Sequence, residues 1–241
     1  MTNVDESYAY LSLSLSLLAL VAILLYFRKD LARRTLKLGL VGGLVGIFSE
    51  LFYFRDYWQP LSLAGHAKVS IEDFFFGFAV TALAVIIYPV VARTSFSQHP
   101  TFPQHRVRYV AIFIASMISM YIFSVLLGIN SIFVSYIIFT GVFCLIIYKR
   151  PDLIDAAFKS ALIFSLISIV FYMVLFNIMF PNVVDKFWLL TGTVWGEKVL
   201  GNIPITEILW YFSYSLLASV SYPYVSGKTF ENNENHQLIT N

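Results

Sequence analysis

"IEDFFFGFAVTALAVIIYPVVARTSF" (71–96) and "ITEILWYFSYSLLASVSYPYVSGKTF" (205–230) are two copies of one pattern, offset by 134 residues. Ile71 falls on Ile205, Asp73 on Glu207, Phe78 on Phe212, Leu83 and Ala84 on Leu217 and Ala218, Tyr88-Pro89 on Tyr222-Pro223, and Phe96 on Phe230. Apolar composition supplies some of this agreement, but not all of it. The segments upstream echo each other as well, "FRDYW" (54–58) before the first copy and "VDKFW" (184–188) before the second. Self-similarity at a fixed offset marks a duplicated structural unit. Each copy here carries an acid, then aromatics, then a long apolar run.

The composition says where such a unit lives. Of 241 residues, 59% are hydrophobic and only 12% charged, far more apolar than an ordinary soluble domain. A bilayer core about 30 Å thick needs roughly 20 apolar residues per helical span. Seven stretches qualify, at about 7–27, 36–54, 73–92, 109–128, 129–148, 157–180 and 205–225. The sequence therefore predicts an all-α, polytopic membrane protein with seven transmembrane helices, arranged as two parallel three-helix repeats joined by helix four. It reads as a single domain over 1–230, with repeat one at 1–96, the linking helix at 109–128, repeat two at 129–230, and a disordered polar tail at 231–241 within the polar end "GKTFENNENHQLITN". The first ten residues, "MTNVDESYAY", are acidic where a signal peptide is basic, so the first helix is expected to be retained. The lone Cys144 lies mid-span and leaves no intrachain disulfide.

Basic residues set the expected orientation, because Lys and Arg in short loops stay cytoplasmic. One face collects Arg28, Lys29, Arg33, Arg34, Lys37, Arg93, Arg106, Arg108, Lys149, Arg150, Lys159 and Lys228; the other has Arg55, Lys68, Lys186 and Lys198. This places the N-terminus outside and the C-terminus in the cytoplasm of an integral cell-membrane protein. The net charge of +2 is then an orientation signal, and no nucleic-acid partner is implied. Helix two carries Gly39, Gly42, Gly43 and Gly46, with two overlapping GxxxG spacings that let another helix backbone approach. The short connection from Gly128 to Ser131 makes helices four and five antiparallel neighbours.

Away from the basic face and the tails, the remaining ionisable groups cluster at one end of the helices. They are Glu50, Arg55, Asp56, His66, Lys68, Glu72, Asp73, Asp185, Lys186, Glu197, Lys198 and Glu207. Glu50 is the deepest, about one turn inside the end of helix two, where an ionised acid costs roughly 2.5 kcal/mol or more. It is a catalytic candidate, or an acid paired with Arg55. Glu72 and Asp73 have two readings of their own. Ser70-x-x-Asp73 has the form of a capping box, and acids in a first turn are stabilised by the helix dipole. Glu207, three residues after Pro204, also sits in a first turn. The repetition favours function: an acid recurs at the equivalent place, followed by Phe74-Phe75-Phe76 in one copy and Trp210-Tyr211-Phe212 in the other. Desolvation disfavours the charged form of a carboxyl, which suits it to hold and deliver a proton. Aromatic faces stabilise a passing cation without trapping it. Donor, acceptor and aromatic lining together suit carbocation chemistry on a hydrocarbon.

With Trp58, Gly65 and "SIEDFFF" in one half and Trp188, Gly201 and "IPITEILWYF" in the other, the chain resembles the flavin-independent, membrane-embedded lycopene cyclases of the heterodimeric and fused type. Their pattern is a tryptophan, a glycine and P-L-E-E followed by aromatics, once per three-helix half. The resemblance covers roughly half the chain. It implies isomerisation of lycopene end groups to β-ionone rings: an acid protonates the terminal double bond, the neighbouring alkene attacks the cation, and a base removes a ring proton, with no redox cofactor. Glu72, Asp73 and Glu207 would carry this chemistry beside Glu50, with Trp58, Phe75, Phe76, Trp188, Trp210 and Tyr211 against the substrate. The expected partners are a lipid-soluble polyene or polyprenoid and membrane lipid. A homo-oligomer, with a site between protomers, stays open. The chain departs from the pattern at Asp73, which stands for the second glutamate, at Thr206, which replaces a glutamate, and at Ser70, which replaces the proline. These departures leave three readings: an active lycopene cyclase, a cyclase of another polyprenoid, and a relative that only binds its ligand.

Other classes fit less well. A retinal photoreceptor needs a lysine inside the last helix, and there is none between Thr206 and Val225. A small-solute transporter of repeat design places its acids near the midplane, not at one end. His66, His99, His105 and His236 have no metal-ligand spacing, so no metal site is expected. His66 reads as a solvated loop residue, and Trp58, Trp188 and Trp195 as either interfacial anchors or pocket walls.

Overall fold

The computed structural model describes residues 5–232; most of the polar tail, with His236, lies outside the described residues. The chain is all-α apart from two small two-stranded sheets. Long helices are α1 (Tyr8–Phe27), α2 (Lys29–Asp56), α3 (Ile71–Val91), α4 (Arg106–Met120), α5 (Ser131–Lys149) and α6 (Ile154–Tyr172). The short α7 (Val183–Phe187) precedes the long α8 (Ile205–Ser226). α4 and α6 each run on into a π-helical stretch, at Tyr121–Leu126 and Met173–Met179. Six of the long helices are long and apolar enough to cross a membrane. α8 is as long, but its serines and tyrosines lower its apolarity.

Helix ends differ from the apolar stretches because hydropathy marks the lipid-facing part of a helix and not its length. α2 begins at Lys29, well before the expected 36, since Arg28 alone separates it from α1. The Arg28 side chain fixes that corner by donating to Asp30 (2.8 Å) and to the carbonyls of Pro89 (2.6 Å) and Thr94 (2.6 Å). Arg150, between α5 and the turn into α6, does the same with Asp152 (2.7 Å) and the carbonyl of Lys228 (2.8 Å). Both arginines thereby clamp a hairpin made by β1 (Thr94–Gln98) and β4 (Lys228–Asn232), which pair antiparallel with Phe96 opposite Phe230. The hairpin corrects the expectation that the chain loosens after the last helix. Gly227 turns the backbone in the left-handed region (φ 65°), and Phe230 packs edge-on against Tyr88.

α3 packs against α1 and α2, α8 packs against α5 and α6, and α3 and α8 meet at the centre. α4 lies outside this core against α5, with Met120 its only buried residue. At the end away from the hairpin the two echoing segments pair. Gln59 N donates to Phe187 O (2.9 Å) and Leu189 N to Tyr57 O (2.8 Å), and the Trp58 and Trp188 rings lie 4.2 Å apart. Strands β2 (Lys198–Val199) and β3 (Ile203–Pro204) then lead into α8.

The glycines of α2 do what their spacing suggests. A Cβ on Gly46 would lie 2.6 Å from the carbonyl oxygen of Asp73, and one on Gly77 of α3 would lie 2.9 Å from the Gly46 Cα. The two backbones are in direct contact, so neither position has room for a methyl group. Gly141 of α5 has nothing within 4 Å. Gly77→Ala is therefore expected to destabilise the protein by at least the ~1–3 kcal/mol typical of overpacking, while Gly141→Ala is neutral, read as thermal unfolding midpoints in detergent.

Candidate active site

Gly46 places α2 against the first turn of α3, and Glu50, one turn further along the same face of α2, therefore meets Asp73. Glu207, in the first turn of α8, comes in from the other half. All three acids line one chamber of about 130 Å³ between α1, α2, α3, α5, α6 and α8, with Met117 and Met120 of α4 on its outer side. They are 5%, 2% and 7% exposed, so each carboxyl is cut off from bulk water and lipid alike. Glu50 shares the chamber wall with both of the others.

Their hydrogen bonding differs sharply. Glu207 receives three donors. Tyr57 and the Trp188 indole N–H (3.0 Å) give to Oε1, and Tyr172 (2.6 Å) gives to Oε2. Three donors on one carboxyl is the environment of a fixed carboxylate. Burial pushes the Tyr57 hydroxyl well above its ordinary range, and the charge of Glu207 adds to that, so Tyr57 stays a donor. Asp73 Oδ2 is taken by its own cap, accepting from Ser70 N (2.6 Å) and Ser70 Oγ (3.2 Å), while Oδ1 stays clear of the cap and the Tyr10 hydroxyl lies beside the carboxyl. Capping and chamber are thus both true of Asp73. Glu50 Oε1 is buried and receives no hydrogen bond. Arg55 does not serve it; that guanidinium bonds Asp56 (3.1 Å) and the Ser124 carbonyl instead.

Aromatic rings make most of the remaining wall. Trp58, Phe76, Trp188 and Trp210 line the chamber, joined by Tyr10, Tyr53, Tyr57, Tyr172 and Tyr214. Phe76 stacks on Trp210 at 6.0 Å, and Trp210 lies parallel to Tyr214 at 5.0 Å. Trp58 and Trp188 are buried and so are walls of the site, not interfacial anchors. Trp195, exposed and edge-on to Phe133, suits the anchor role. His66 is exposed, as expected of a loop residue.

Three expected site residues are placed elsewhere. Glu72 is buried, but its Oε1 accepts from Leu63 N (2.8 Å) and so holds the 57–70 loop over α3. Neighbours on a helix point about 100° apart, so Glu72 and Asp73 cannot share the chamber face. Phe75 packs on Phe74 outside the chamber. Tyr211 is fully buried one layer behind, edge-on to Phe76 and Tyr172. Thr206, which aligns with Glu72, is buried too, and its Oγ1 accepts from Tyr57 (3.1 Å). Since Glu72 lies outside the chamber, Thr206 does not cost the chamber an acid. The tyrosines around Glu207 were missed in the sequence. A signal for one existed: Tyr172 stands as far beyond Arg150 as Glu50 stands beyond Arg28.

The model of the lycopene cyclase family matches residues 7–91 and 130–225. No curated protein and no solved structure matches the chain. The matched segments contain every chamber acid and both paired tryptophans.

The donors on Glu207 make a stability prediction. Tyr57→Phe and Tyr172→Phe each remove a hydrogen bond to a buried carboxyl, worth about 1.5–3 kcal/mol, and both are expected to lower the unfolding midpoint. Combining either with Glu207→Gln is expected to cost less than the sum of the two, because the partners act on one group.

Proposed function

The chain belongs to the lycopene cyclase family, and from that membership and the chamber we propose that it is a carotenoid β-cyclase working by acid–base isomerisation of a polyene end group. The observation that carries this reading is the convergence of Glu50, Asp73 and Glu207 in one aromatic chamber where only Glu207 is saturated with donors.

The division of labour follows from those hydrogen bonds. Glu50 and Asp73, each with an oxygen that its neighbours leave uncommitted, form the proton-donating pair. One of them gives its proton to the terminal double bond of an acyclic end group. The resulting cation is attacked by the neighbouring alkene, which closes the ring and moves the charge onto a ring carbon. The carboxylate left behind by the donor takes a proton from the adjacent ring carbon, which forms the ring double bond and restores the acid. One proton enters and one leaves, and no electrons are exchanged, so the reaction is an isomerisation. Glu207, held as an anion by Tyr57, Tyr172 and Trp188, supplies a fixed negative charge for the cation. The faces of Trp58, Phe76, Trp188 and Trp210 offer a non-nucleophilic surface for it. The apolar, aromatic lining of the chamber and the burial of its acids disfavour water that would quench it.

The replacement of a family glutamate by Thr206 motivates the competing reading, a protein that binds the polyene without reacting. Expression in lycopene-accumulating cells separates the two. The wild-type protein is expected to yield β- or γ-carotene, and Glu50→Gln, Asp73→Asn and Glu207→Gln to abolish the product at normal protein levels. Glu72→Gln is expected to retain activity in proportion to the folded protein present. Unchanged lycopene beside well-expressed wild-type protein would put the binding reading ahead.

A further inference from the structure

The acid chamber is too small for more than one end group, and it is not closed. A second, larger chamber of about 470 Å³ continues from it toward the arginine-rich, hairpin end. The two share the walls Gly42, Val45, Met117, Ile138, Phe139 and Tyr214, so they adjoin, and these six residues make the neck between them. Beyond the neck the lining holds no Asp, Glu, Lys, Arg or His, and most of its hydroxyls are committed. Thr81 bonds Tyr214 (2.6 Å), and Tyr109 bonds Ser221 (2.7 Å).

The larger chamber is reached from the side. α4 touches α2 through its π-helical end, near the acids, and the two helices diverge toward the hairpin end. Val41 of α2 and Val110 and Phe113 of α4 line the chamber and are also exposed on the lipid-facing surface. A hydrocarbon dissolved in the bilayer can therefore enter without crossing a polar layer. At the neck, Tyr214, which lines both chambers, stacks on Trp210 of the acid chamber, so aromatic wall runs up to the junction from the acid side.

We propose that the chamber between α2, α3, α4, α5 and α8 is the binding site for the unreacting body of a linear polyene, whose end group the neck delivers to the acids. This rests on the cyclase reading only for the identity of the chain; the site itself is argued from the passage. A flat conjugated chain gains more than a saturated lipid tail against the rings that line this chamber, Tyr109, Phe113, Phe139, Tyr214 and Tyr222, because π systems in contact gain dispersion over their area. A site for the body also accounts for how a chamber of this size selects a long substrate: affinity comes from the contacts remote from the reacting atoms.

The test uses purified full-length protein in detergent, with lycopene as the probe and a short acyclic isoprenoid carrying the same end group as the control. Ala218→Phe and Val142→Phe each put a ring into the larger chamber from a different helix. Each is expected to reduce co-purified lycopene about tenfold or more while leaving binding of the short control unchanged. Wild-type protein photolabelled with an isoprenoid carrying a diazirine at its far end is expected to be tagged on α4, at Val110 or Phe113. Full lycopene retention by folded variants, or labels confined to the loops around Trp58 and Trp188, would overturn the proposal. So would a phospholipid chain that lycopene fails to displace. Retention of lycopene by wild-type protein without cyclisation would leave this site standing and remove the cyclase reading; no retention at all would remove both.

Discussion

A carboxyl group taken out of water needs donors if it is to stay charged, and of the three acids that line the chamber the protein supplies them to both oxygens of one. Tyr57, Tyr172 and Trp188 reach Glu207 from the end of α2, from α6 and from the loop before α8. These are far apart in the chain, so satisfying Glu207 ties the two halves of the protein together at the acid end. Glu50 and Asp73 lie in the same chamber without that provision. In the proposed chemistry this contrast makes Glu207 the fixed anion and the other two the proton-carrying pair, and every step depends on it.

The geometry that holds the acids together is made of backbone contact. Gly42, Gly46 and Gly77 let α2 and α3 touch, which sets Glu50 against Asp73. Arg28 and Arg150 clamp the far end onto the β1–β4 hairpin, and Trp58 and Trp188 close the near end. Positions that the sequence sets in correspondence meet in space at both ends: Phe96 faces Phe230, and the segment before α3 pairs with the segment before α8. α4 stands outside this frame, which leaves the side passage open to lipid.

Much of this was legible in the sequence. The apolar runs locate the long helices, the glycine spacing marks the face of α2 that another backbone reaches, and the recurring acid picks out Asp73 and Glu207. Glu50 stood out because a lone acid among apolar residues is costly unless it is used. What was not legible depends on direction and distance. Sequence adjacency made Glu72 and Asp73 look like one pair, whereas helix geometry sends Glu72 to the loop amide of Leu63. Two of the three donors to Glu207 are ordinary tyrosines in a chain rich in them, and apart from the spacing of Tyr172 from Arg150 nothing in the sequence distinguishes either from the rest. The hairpin was hidden because its strands are short, polar and held by arginines from other segments.

The claim at the centre of this account is that buried carboxyls, exchanging their protons with solvent, start the ring closure. Conversion of lycopene in membranes equilibrated in D2O tests it directly by mass spectrometry of the product. The account expects a single solvent deuterium for each ring formed. Cyclic product made in D2O without deuterium would contradict it, because the proton that starts ring closure would then not be one exchanged with solvent.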